Sequence, residues 1–276
     1  MTTAAGRPAP TWFITGCSTG FGRTLAEAAL GRGDRVAVTA RHHEAIDDLV
    51  SRHPGQAIGL ELDVRDEAAA RRAVSATVSA FGRIDVVVNN AGFGLFGGVE
   101  EATDAQARAI FDTNVFGVLN VLRAALPVLR AQRSGHVLQL SSMYGQSTHP
   151  GVGLLSASKY AVEGLSEALA AELAPLGVRL TVIQPSYYAT SFIANLDAAS
   201  ALDDYDGTVG AVRRSLGELS PDAFGDPAQA VAAMLAVVDA ENPPVRLALG
   251  RQATDAIAAA LAERKAALEV SVPALA

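Results

Sequence analysis

The chain has 276 residues, half of them apolar, enough for one large α/β domain with a substantial core. Its net charge of −7 argues against nucleic acid as the main partner, because neutralising phosphates calls for clustered Lys and Arg. A single cysteine, Cys17, excludes an internal disulfide and any cysteine-rich metal site.

In chain order, residues 1–10 read as a flexible leader without the basic-then-apolar layout of a signal peptide. "TWFITG" is a short apolar strand, followed by a glycine-rich turn and by "RTLAEAALGRG", a helix closed by glycines. "RVAVTAR" is a second strand and "AIGLELDV" a third, and "DEAAARRAVSATVSAFG" is a helix before the strand "IDVVVNNAG". A long helix around "DAQARAIFDTNVFGVLNVLRAALPVLRAQ" leads to the strand "GHVLQLSS", a helix from about Gly153 to Leu173, and the strand "VRLTVIQP". Strands alternating with helices, and rich in Val, Ile and Leu, predict a Rossmann-like doubly wound parallel sheet with helices on both faces, in a single domain over 11–250. Residues 191–227 lose clean periodicity just past a strand's C-terminal end, where open α/β sheets bind ligands, and are expected to form a substrate lid. Residues 251–276 read as a C-terminal helix and tail. No uncharged run approaches the roughly 20 residues that cross a bilayer, so a soluble, cytoplasmic protein with no membrane partner is expected.

"TGCSTGFG", between the first strand and helix, lets backbone approach a pyrophosphate at a helix N-terminus through Gly16, Ser18, Gly20, Phe21 and Gly22. The same stretch holds the G-x-S-x-G spacing of a hydrolase elbow around Ser18. That reading needs a later acid and histidine, and of His42, His43, His53, His136 and His149 only His149, in "THPG", is a plausible partner. The second strand ends without an acid and with Arg41, which suits the 2′-phosphate of NADP over the free ribose of NAD.

With these motifs in one order, the sequence resembles the short-chain dehydrogenase/reductase family over about residues 11–250. The resemblance rests on "TGCSTGFG", on "LDV" with Asp63 and Val64, and on "NNAG" with Asn90, Ala91 and Gly92. Asn114 in "DTNVFG" and Ser142 in "LSSMYG" complete it. It implies NADP(H) as cofactor and no metal, with Lys159, Pro185 and Thr190 also on the cofactor and Ser142, Lys159 and Asn114 as catalytic residues. "KYAVEGLSEALAAEL" resembles the family's dimerisation helix, which implies a homodimer or homotetramer.

In that family a tyrosine stands one helical turn before the lysine and about thirteen residues after the serine, and both rulers arrive at Leu155. Leucine carries no proton. Tyr160 lies about 100° round the helix from Lys159 and is assigned to packing. Ser186 replaces the glycine that usually follows Pro185. Loss of one positioned acid costs on the order of 10² to 10⁴ in rate. The sequence therefore points to an NADPH-dependent reductase of altered acid chemistry, acting on an imine or iminium, a conjugated C=C or a carbonyl of a bulky apolar small molecule. Tyr144, Tyr187 and Tyr188 are candidate replacement donors, with Tyr144 and Tyr188 taken as catalytic. Leu155, Ser186, Tyr187 and Phe93 are taken as substrate pocket. Two alternatives stay open: a redox-neutral enzyme or NADP-bound non-catalytic protein on the same fold, and a conventional carbonyl reductase inactivated by exchange of tyrosine for leucine.

Overall fold

In the computed structural model, which describes residues 9–271 apart from the side chains of 193, 194 and 271, seven apolar runs pair as one wholly parallel sheet. They are β1 (Thr11–Ile14), β2 (Arg35–Ala40), β3 (Ala57–Glu61), β4 (Val86–Asn89), β6 (Gly135–Leu140), β7 (Val178–Pro185) and β9 (Arg246–Leu249), in the order β3-β2-β1-β4-β6-β7-β9. Trp12 pairs with Val36 on one side and Val86 on the other, so the strand order reverses about β1. The crevice outside the carboxyl ends of β1 and β4 is the switch point where ligands of such sheets bind.

Side chains along a strand alternate faces, and the two cores follow from that. Trp12, Ile14, Val36, Val38, Val86, Val88 and Leu138 pack with α1 (Gly20–Gly31) and α9 (Pro227–Asp239). Phe13, Ala37, Val87 and Val137 pack with α3 (Glu67–Phe81), α5 (Gly117–Gln132) and α6 (Gly153–Leu173). Helix starts are set locally. Asp66 accepts from Ala69 N (3.0 Å) at α3, and Thr103 and Gln106 form a reciprocal capping box at α4 (Asp104–Phe111).

The expected single helix over "DAQARAIF…LRAQ" is two helices joined by a π-helical segment, Asp112–Phe116, which widens the turn at Asn114. By length and mean hydropathy (1.3) this 29-residue run could cross a membrane, but its apolar face of Val118, Val121, Leu122, Ala125 and Leu129 packs against the sheet.

Several elements lie beyond the periodic reading: α2 (Asp47–Arg52), α9, β9, and two two-residue strands, β5 (Leu95–Phe96) and β8 (Asp197–Ala198), paired with each other. That pairing ties the 191–227 segment, which also holds α7 (Ser191–Ala194) and α8 (Ala211–Gly217), to the loop after β4. The closing helix α10 (Arg251–Ser271) sends Ala253 and Ile257 into a third apolar cluster with Leu155, Met143 and Tyr144. The expected leader and tail lie outside the described residues over 1–8 and 272–276. Ala9 and Pro10 do not continue that leader, because Ala9 is buried and the Pro10 carbonyl accepts from Arg35 N (3.0 Å).

Candidate active site

A cavity of about 910 Å³ runs from the glycine-rich turn, past the ends of β4 and β6, to the first turn of α6 and the 191–227 segment. Gly16, Ser18, Gly20 and Phe21 form its wall at one end. Gly16 and Gly20 have φ of +72° and +59°, a conformation that favours glycine. A Cβ on Gly22 would lie 2.4 Å from both the Asn90 amide nitrogen and the Gly16 carbonyl oxygen, so the backbone must stay bare there. Asn90 donates to the carbonyls of Thr15 (2.8 Å) and Gly16 (3.0 Å), while the Thr15 hydroxyl accepts from the backbone of Asn90 and Ala91. Thr15 thus joins the turn as a residue the motif reading passed over. Thr19, at the start of α1, makes no side-chain cap, which leaves the first N–H groups of a 12-residue helix directed at the cavity. Together, bare backbone and an uncapped helix end fit a pyrophosphate.

Beyond this turn, Ala40, Arg41, Asp63, Val64 and Arg65 line the same wall. Arg65 grips Asp63 with two nitrogens (3.0 and 2.5 Å) and holds its carboxyl below the usual range, with a smaller contribution from Arg41. Two guanidiniums therefore stand at this end of the cavity. Only Arg41 was legible by position, since Arg65 follows the "LDV" motif. The Val64 carbonyl accepts from Asn120 (3.0 Å), which fixes this step to α5.

At the other end, Ser142, Leu155, Lys159, Pro185 and Ser186 all line the cavity, and Phe93 and Thr190 complete it. The Ser142 hydroxyl accepts from Tyr144 N (3.2 Å), and its proton is left to serve an oxygen in the cavity. Lys159 is buried and donates to the Leu140 carbonyl (3.1 Å), and burial pulls its ammonium down to about 8. Asn114 stands behind the cavity wall and not on it. Its buried amide exchanges bonds with both backbone groups of Phe93 (3.0 and 3.1 Å) and donates to Ser158 (3.2 Å), whose hydroxyl donates to the Leu155 carbonyl (2.8 Å). It is a positioning residue, joining the loop after β4 to the turn that presents Leu155. Ser186 takes the glycine position without strain, because Arg133 is the only described non-glycine residue with positive φ.

The three candidate phenols separate. Tyr188 lines the cavity where it packs edge-to-face on Phe21 (5.3 Å between centroids), and it belongs to the core beside α1. Tyr144 and Tyr187 face each other with hydroxyl oxygens 2.5 Å apart. The Tyr144 hydroxyl also lies 2.6 Å from His149 Nε2, and His149 Nδ1 lies 2.8 Å from the Pro150 carbonyl. With both ring nitrogens engaged in its own loop, His149 is not the partner of Ser18, which removes the basis of the hydrolase reading. Burial, followed by the Tyr187 contact, pushes the Tyr144 phenol well above its ordinary range. Tyr160, expected to pack, is exposed, and its ring lies beneath the Arg264 guanidinium of α10 (5.5 Å).

Residues 10–201 match the family model of short chain dehydrogenases. The chain is 37% identical to Oxidoreductase BOA17 of Botryotinia fuckeliana over 246 residues, 88% of this chain and 90% of that one. It superposes on a short-chain dehydrogenase from Streptomyces avermitilis with a TM-score of 0.88 at 39% identity, covering 95% and 96% of the two chains. A short-chain dehydrogenase from Burkholderia cenocepacia, solved with NADP, gives a TM-score of 0.75 at 28% identity, with 95% and 96% covered.

Proposed function

The chain belongs to the short-chain dehydrogenase/reductase family, an oxidoreductase family, and from that premise we propose that it is an NADP(H)-dependent reductase whose reacting site works without the usual tyrosine. The observation that carries the reading is the one continuous cavity, with a pyrophosphate cradle at one end and Ser142, Lys159 and Leu155 at the other. Gly16, Gly20 and the N-terminus of α1 would hold the diphosphate, and Arg41 and Arg65 the 2′-phosphate. Lys159 would hold the nicotinamide ribose, with Pro185 and Thr190 beside the carboxamide. Bound and reduced, the nicotinamide supplies a hydride to an electrophilic carbon of the substrate. Ser142 orients the acceptor oxygen or nitrogen. Leu155, Phe93 and Tyr187 give that end an apolar wall, and the 191–227 segment, tied down by the β5 and β8 pairing, excludes water as a lid. These features support a bulky, largely apolar carbonyl, imine or enone compound as substrate. A homodimer or homotetramer built on α6, in the cytoplasm, completes the reading.

The test is stoichiometric. Purified protein with such compounds should consume NADPH, followed at 340 nm, one equivalent per product, and should prefer NADPH to NADH. The double variant Arg41→Ala/Arg65→Ala should lower that preference by roughly tenfold or more, as loss of charge-assisted contacts to a phosphate requires. Product formed without NADPH loss would overturn the reading in favour of redox-neutral chemistry.

A further inference from the structure

Leu155 leaves the reacting end without a proton where one is needed, and three side chains remote from it in sequence meet at the same end. Tyr144 leaves the turn after β6, Tyr187 the end of β7, and His149 the loop before α6. Tyr144 and Tyr187 line the cavity, and Tyr144 shares an apolar cluster with Leu155. His149 stands behind them, half-buried, with its ring edge-on to Tyr144 (5.0 Å, 83°).

The hydrogen bonds can be assigned in order. The Pro150 carbonyl only accepts, so His149 Nδ1 carries a hydrogen and, in the neutral ring, Nε2 is an acceptor. Tyr144 therefore donates to Nε2, and Tyr187 donates to Tyr144. In this state Tyr187 turns a lone pair to the cavity. A protonated imidazole reverses the chain: Nε2 donates to Tyr144, Tyr144 to Tyr187, and Tyr187 presents its O–H to the cavity. A buried phenol resists ionisation, so Tyr144 must receive a proton as it gives one.

We propose that Tyr187, linked through Tyr144 to His149, is the proton-transfer group that replaces the missing phenol at position 155. This rests on the reductase reading. In reduction of a carbonyl, both electrons arrive with the hydride at carbon, and the C=O π pair moves to oxygen. That oxygen takes the Tyr187 proton, Tyr187 takes the proton of Tyr144, and Tyr144 takes the proton on Nε2. His149 ends neutral, and Nε2 regains a proton from water when its bond to Tyr144 opens between turnovers. An alcohol is oxidised by the same path in reverse. Tyr187 touches the substrate and is the catalytic residue; Tyr144 and His149 act through it. The other charged groups around the His149 loop are Glu163 of α6, which accepts from Gln146 (3.3 Å) and binds Arg246 (3.0 Å), and Arg264 of α10, which bonds the Gln146 carbonyl and Tyr160 (2.9 Å).

Two measurements test this. In the cofactor-free protein, side-chain nitrogen NMR should find neutral His149 protonated at Nδ1 with Nε2 hydrogen-bonded. Tyr144→Phe should move the Nε2 resonance and leave Nδ1 in place. A neutral ring protonated at Nε2 would overturn the assignment. With NADPH and two probes, 2-naphthaldehyde and 3,4-dihydroisoquinoline, Tyr187→Phe and Tyr144→Phe should each lower kcat on the order of 10²-fold with KM little changed. His149→Gln, which removes the Nε2 partner of Tyr144, should lower kcat as well, with KM little changed. If the wild type turns over either probe and the three folded variants keep kcat within threefold, the relay is overturned and the reductase stands. If the wild type oxidises NADPH with neither probe, the reductase reading itself fails, and the relay with it.

Discussion

Lys159 carries a charge into an apolar place, and the cost depends on pH. Burial lowers its ammonium from 10.5 to about 8, so between those values the unfolded chain binds a proton that the native chain does not. Stability therefore rises with pH from about 8 to 10.5, and the penalty is fully present below 8. Urea unfolding should show that rise in the wild type and lose it in Lys159→Met, which should also be the more stable protein at pH 7 without cofactor. NADPH affinity should fall above about pH 8 as the ammonium that would meet the ribose is lost. At this scale Lys159, Ser142 and Leu155 were legible, because a lysine and a serine at fixed distances both count to position 155. The Asn114 amide was legible as a motif but not as a strut, since Ser158, its partner, lies 44 residues away. His149 was weighed only as a partner of Ser18, because nothing in "THPG" signals its bond to the Tyr144 hydroxyl.

Elements were legible where periodicity was long and clean, though the 13-residue α9 was not among those read. The helix expected from about Gly153 to Leu173 spans those residues, and six of the seven strands of the main sheet, all but β9, fall on runs read as strands. β5 and β8, at two residues each, are too short to show alternation, and the π-helical segment DTNVF, flanked directly by α4 and α5, carries no residue that distinguishes it from an α-helix. The start of α1 shows how an element becomes a site. Gly22→Ala would drive its Cβ into Asn90 and the Gly16 carbonyl, separating turn from helix. Overpacking of this kind costs about 1–3 kcal/mol. Urea unfolding should report that loss, and fluorescence titration should show NADPH binding weakened at least tenfold.

For the molecule as a whole, cofactor binding and stability should be linked, because the ends of β2, β6 and β7, the loops after β1 and β4, and the 191–227 segment wall the cavity together. A ligand that binds only the folded state at 100 times its Kd adds about 2.7 kcal/mol. That is roughly 5–10 °C in Tm for a chain near this size. NADP+ should raise Tm by that amount in a thermal melt, and NAD+ at equal concentration by clearly less; equal shifts would count against the role given to Arg41 and Arg65. The sequence by itself determined the layered α/β architecture and the glycine-rich turn after the first strand, and through its family resemblance it raised the question of Leu155. Architecture and turn depend on hydrophobic period and glycine placement, local properties of the chain. Only the tertiary structure decided that Asn114 is a strut, that Tyr188 packs on Phe21 and that Tyr144 joins His149 to Tyr187. Those contacts form between loops at the ends of different strands, where the sheet order, and not the distance along the chain, sets which side chains meet.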